Sequence, residues 1–132
     1  MGTWGIKTFE NDGASDWLWE LEESGDTSIL LEALNPEDTN YLEATDGEII
    51  LAAAEIIQAI KNTPRAGLPE NALNWINMHK TSDISPLVTK AIAMIDRVLA
   101  ENSELRELWE ENEDEYPKWQ AYITELRSKL NS

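Results

Sequence analysis

The chain has 132 residues, with 26 Asp and Glu against 10 Lys and Arg, one His and no Cys, for a formal net charge of −16. An apolar share of 42% is enough for a core, and this length leads us to expect one domain over residues 1–132. The acid excess argues against direct contact with nucleic-acid phosphates, and the lack of Cys removes disulfides, thiolate metal sites and cysteine nucleophiles.

The charge is uneven. Residues 1–45 hold eleven acids against Lys7 alone, a net of −10. No apolar run approaches the length of a bilayer, and no secretory signal opens the chain. Together with the missing Cys, this predicts a cytoplasmic protein with no membrane contact.

In chain order, Met1 to Glu10 has no helical period and predicts an extended or looped N-terminal arm that packs Trp4, Ile6 and Phe9. Asn11 and Asp12 offer an N-cap pair; with Asp12 as the cap, Asp16 falls in the first turn. Ala14, Trp17, Leu18 and Leu21 then repeat as one helical face. Gly25 is placed to end this helix, Asp26 to cap a short second one, and Pro36 to stop it.

The central helix, about residues 46–62, is apolar over most of its surface and must be enclosed by the others. Thr45 and Glu48 have capping-box spacing at its start. Glu48, Glu55, Gln58 and Asn62 share its one polar stripe. After the loop Thr63–Gly67, Pro69 suits the first turn of a helix carrying Trp75 and His79. Ser85 and Pro86 open another helix, Asn102 or Ser103 a shorter one, and Pro117 the last, with Trp119, Tyr122, Ile123, Leu126 and Leu130 on one face. No segment alternates as a strand would. The expected fold is therefore an all-α, single-domain irregular bundle of six or seven helices around the central one.

Few catalytic designs remain. His79, near the apolar face of its helix, reads as a packed residue, and neither a nucleophile elbow nor a phosphate-binding loop is present. Asp12, Asp16 and Glu20 on the first helix could converge with Glu48 and Glu55 on a hard cation. This makes a metal-dependent hydrolase an alternative, yet no Glu-x-x-His pair or EF-hand loop supports it. No catalytic residue, metal or cofactor is assigned.

Glu55 stands mid-helix among apolar neighbours. It is read either as the solvent edge of the helix or as a buried acceptor for polar groups of the arm. Trp19 lies off the core face of its helix, beside Glu20, Glu22 and Glu23. An exposed Trp among acids suits an Arg-rich partner, and these four residues form the candidate partner-binding site.

The opening Met1-Gly-Thr-Trp-Gly5, Phe9-Glu-Asn-Asp12 and Ala14-Ser-Asp-Trp17 resembles a bacterial domain-of-unknown-function family whose members begin M-G-x-W-G-x-x-x-F-x-N-D-x-A-x-D-W. The segment Ala52 to Ile57 looks like that family's central helix. Glu10 and Gly13 depart mildly from the pattern. The resemblance implies a fold and a bacterial source, and no activity. Trp4, Phe9, Asn11, Asp12, Asp16, Trp17 and Glu55 look like a fold signature in which arm, cap and first helix dock onto the central helix. Charge and missing chemistry point to a non-enzymatic module that binds or inhibits a basic protein, in the manner of immunity proteins. An acidic mimic of nucleic acid is a further alternative.

Overall fold

A computed structural model describes residues 5–36 and 40–131, so Trp4 lies outside the described residues. It holds seven helices: α1 (Asp12–Glu23), α2 (Ser28–Ala33), α3 (Ala44–Lys61), α4 (Glu70–Met78), α5 (Ser85–Leu99), α6 (Glu104–Glu110) and α7 (Tyr116–Leu130). The protein is an all-α bundle. No helix among the described residues is long and apolar enough to cross a membrane.

The apolar circumference of α3 dictates the arrangement. Every residue from Ile50 to Ile60 is buried, and α3 packs against each of the other six helices. Ala52, Ala53, Ala54 and Ala59 are fully buried, and such small side chains let neighbouring helices come close. The other helices complete the core from one face each: Trp17, Leu18 and Leu21 from α1, Ile95 and Val98 from α5, and Trp119, Ile123 and Leu126 from α7.

Helix starts depart from the local sequence signals where tertiary partners supply the caps. The capping box at Thr45 and Glu48 does not form. Instead α3 begins at Ala44, whose amide donates to Glu104 Oε1 at 2.8 Å. Glu104 is brought there by a parallel bridge between Leu42 and Ser103, with Leu42 N donating to Asn102 O and Glu104 N to Leu42 O, both at 2.9 Å. Two more caps move by one or two residues. Asn11, not Asp12, caps α1, which puts Asp16 beyond the first turn; at α5, Asp83 Oδ1 accepts from the Ser85 amide, which is already helical. Pro69 stands just before α4 as its N-cap, and His79 just after it as its C-cap.

The segment before α1 is not extended. Residues 5–10 run as bends and turns, closed by the Glu10 amide on Lys7 O at 3.0 Å. This folding tucks Thr8 and Phe9 into the core while Asn11 keeps its capping position. Asn11 Oδ1 accepts from Ala14 N at 2.8 Å, and its Nδ2 donates to Thr8 O at 3.0 Å. One side chain thus closes the helix and ties it to the preceding turn. Asn11→Ala should cost about 1–2 kcal/mol of stability, measured by urea unfolding, with the far-UV helical signal otherwise retained.

The α3–α4 connection places one more residue that matters below. Gly67 has φ of +96°, a left-handed conformation that glycine adopts without strain, and it lets the chain turn back over α3. This turn carries Arg65 beneath the surface. At the end of α3, Lys80 Nζ donates to Ala59 O at 2.9 Å and Asn62 O at 3.2 Å, serving carbonyls that the helix leaves open.

Candidate functional site

The middle of the polar stripe of α3 does not face solvent. Glu55 is fully buried and Gln58 nearly so, and each has a partner: Gln58 Nε2 donates to Thr63 O at 3.2 Å. Glu55 receives Thr8 Oγ1 at 2.9 Å from the segment before α1. It also receives a two-point contact from Arg65, with Nη2 to Oε1 at 2.6 Å and Nε to Oε2 at 2.9 Å. Arg65 continues the network to α7, where Nη1 donates to Tyr122 O at 3.0 Å. Its guanidinium lies 3.8 Å over the Tyr122 ring.

Burial alone would pull the Arg65 pKa down, but the hydrogen bonds and charge of Glu55 hold it above its ordinary value. A carboxylate and a guanidinium without water need such complete pairing. The network joins the pre-helix turn, α3, the α3–α4 loop and α7. Its chemistry is that of a structural anchor, since both charged groups are enclosed and mutually neutralised.

The carboxylates considered for a metal do not converge. Glu55 is taken by Arg65 and Thr8, while Asp16 and Glu20 are exposed on α1. Among the described residues, no group of three or more His, Asp or Glu is arranged to hold a metal ion. His79, just past α4, stacks on Trp75 with ring centroids 3.8 Å apart. Its Nδ1 lies 2.9 Å from Trp75 O and its Nε2 3.4 Å from Gly25 O, so both ring nitrogens face backbone carbonyls.

A different acidic feature lies between α1, α2 and α3, where a groove of about 510 Å³ opens. Each of the three helices lends it an acid and an apolar residue three positions apart: Trp17 and Glu20, Ile29 and Glu32, Asp46 and Ile49. That spacing puts both members of a pair on the same side of a helix. Glu43, just before α3, adds a fourth carboxylate, and Ala33 and Pro36 extend the apolar floor. No Lys, Arg or His stands among the described lining residues, and none of the four acids joins an ion pair among the described residues.

Of the four residues nominated for partner binding, Glu20 lines this groove. Trp19 is 70% exposed, and Glu22 and Glu23 are exposed with it on the outer side of α1. Glu32, Glu43 and Asp46 were not singled out by sequence. The signal available for them was the concentration of acid in the first 45 residues, combined with acid–apolar pairs at helical spacing. Of the proposed fold signature, Phe9, Asn11, Trp17 and Glu55 are buried, while Asp12 and Asp16 are exposed on α1.

No curated protein and no solved structure matches the chain. One family does match, described as a domain of unknown function, and it covers residues 2–122, taking in the groove, the Glu55–Arg65 pair and the first half of α7. The chain therefore belongs to the DUF4259 family.

Proposed function

We propose that this protein is a non-enzymatic interaction module, folding as one domain over residues 1–132, whose groove between α1, α2 and α3 takes a basic segment of a protein partner. The observation that carries this reading is the set of four carboxylates, Glu20, Glu32, Glu43 and Asp46, over an apolar floor with no cation among the described lining residues. Like charges held near one another without compensation cost stability, and a cationic partner relieves that cost on binding. Lys and Arg side chains suit such a site, because their alkyl stems can lie on Ile29 and Ile49 while the charged heads meet the rim. Trp19, Glu22 and Glu23 extend the surface outward and offer cation–π contact. An inhibitor- or immunity-like role follows, in which the module covers a basic site of its partner. The lack of Cys suits a reducing cytoplasm.

The test is binding of an Arg- and Lys-rich peptide, followed by calorimetry at low and high salt. Affinity should fall at least about tenfold between ~50 mM and ~500 mM salt, and an acidic peptide of equal length should not bind. Equal binding of the two peptides, or binding indifferent to salt, would defeat the reading.

A further inference from the structure

Glu48 is an acid that neither the groove nor the Glu55 network uses. It lies in the second turn of α3, and its carboxylate reaches the first turn of α1. There the carboxylate packs against the Gly13 backbone, and the neighbouring Asp12 carboxylate stands close enough to repel it. Gly13 makes room for this approach: a Cβ at that position would overlap the Glu48 carboxylate and come 3.2 Å from Glu48 Cβ. We propose that Glu48 is a pH-sensitive latch between α1 and α3, settled against the α1 N-terminus when its carboxyl is protonated and pushed by Asp12 when it ionises.

The surroundings decide the direction. Glu48 is half-buried, so desolvation disfavours its charged form, and Asp12 adds like-charge repulsion. The Gly13 amide works the other way, and together they push the Glu48 pKa up to about 7 from 4.5. Among the described residues, no cation offsets them. Lys7 borders the void beside Glu48, but its ammonium lies against Gly67, 3.4 Å from where a Cβ there would stand. From α6, Glu104 turns to the Ala44 amide instead, while Leu105 and Trp109, with Trp119 from α7, present apolar surface. That void is about 10 Å³, room for one water at most.

A carboxyl whose folded pKa is raised gives stability that is complete below its unfolded value and lost as pH rises through its folded value. The window here runs from about 4.5 to about 7. Within it the folded state holds a proton that the unfolded state has released, so stability falls with rising pH and levels off above. Asp46 and Ile49 flank Glu48 on α3 and line the groove opposite Trp17 and Glu20 of α1. If the groove is the binding surface, the latch also sets the spacing of two of its walls; the latch itself does not depend on that reading.

The decisive experiment is an NMR titration of the Glu48 side-chain carboxyl in the full chain, with the Gly13 amide followed in parallel. Both should change with one midpoint near 7, and Asp12→Asn should lower that midpoint. Glu48→Gln, which stays uncharged, should abolish the Gly13 amide transition and flatten the fall in melting temperature between about pH 5 and pH 8. A Glu48 midpoint at or below 4.5, or a Gly13 transition that persists in Glu48→Gln, would overturn the proposal. Should Glu48→Gln not fold, the titration of the native chain and of Asp12→Asn still decides. Peptide affinity is measured separately, so a latch without a binding groove, and a groove without a latch, give different results.

Discussion

Replacing Glu55 with Gln should lower stability by about 3 kcal/mol or more, seen in urea unfolding as a shifted midpoint with a nearly unchanged slope. For a chain of this size that is a fall of roughly 10 °C in melting temperature. The cause lies less in the lost attraction than in what is left behind. Arg65, with only 5% of its side chain exposed, would keep its charge without the carboxylate that now receives it at two points. The Tyr122 carbonyl and ring remain, and Glu125 at 3.5 Å is too exposed to replace a buried partner. Arg65→Met alone should cost a similar amount by stranding Glu55. Joining it to Glu55→Leu should recover part of the loss, because neither charge is then stranded. If Glu55→Gln were neutral and the double variant worse than either single one, the pair would not be the anchor described above.

The second large effect concerns binding and runs in two directions. Converting Glu20, Glu32 and Glu43 to Gln and Asp46 to Asn should weaken capture of a basic peptide at least about tenfold, chiefly at low salt, since exposed ion pairs each contribute roughly 0.2–1 kcal/mol. The same four changes should raise the melting temperature, because they remove mutual repulsion around a groove whose described lining holds no cation. Opposite signs for affinity and stability are the mark of a surface kept charged for a partner. Neutralising Glu111, Glu113 and Asp114, exposed acids between α6 and α7, provides the control for charge alone. Equal losses of affinity from both sets would mean that the net charge of −16, rather than the groove, draws the peptide.

How far the sequence foretold these features depends on the range of the interactions that make them. The enclosure of α3 was legible, because a helix apolar on nearly all sides has no other stable setting. The stop before Pro36 and the restart at Ser103 were also local, the latter through Ser103 Oγ accepting from Arg106 N at 3.3 Å. The start of α3 was not local. Its cap comes from Glu104, sixty positions along the chain, and Glu48, suited by spacing to a capping box, turns to α1 instead. The arm from Met1 to Glu10 could be read as extended or looped, and over residues 5–10 burying Thr8 and Phe9 beside the Asn11 cap takes turns.

The two polar sites show the same division. Glu55 stood out because a mid-helix acid among Ala54 and Ile56 needs either solvent or a partner. Arg65 did not stand out, being one residue of a loop whose path was invisible before the fold closed. Its position beside Pro64, just before Gly67 at positive φ, is a signal that sequence could have offered only weakly. The groove was half visible. Acid was plainly concentrated in the first third of the chain, but only packing of α1, α2 and α3 brings Glu20 to Glu32, Glu43 and Asp46, while Trp19 stays on the outer face.

The measurement that bears most directly on the interaction reading is a map of backbone amide shifts during titration with an Arg- and Lys-rich peptide. Shifts should concentrate at Trp17, Glu20, Ile29, Ala33, Asp46 and Ile49, grow with peptide to saturation, and shrink as salt is added. Shifts confined to α5 and α7, or none at low salt, would contradict a binding groove between α1, α2 and α3.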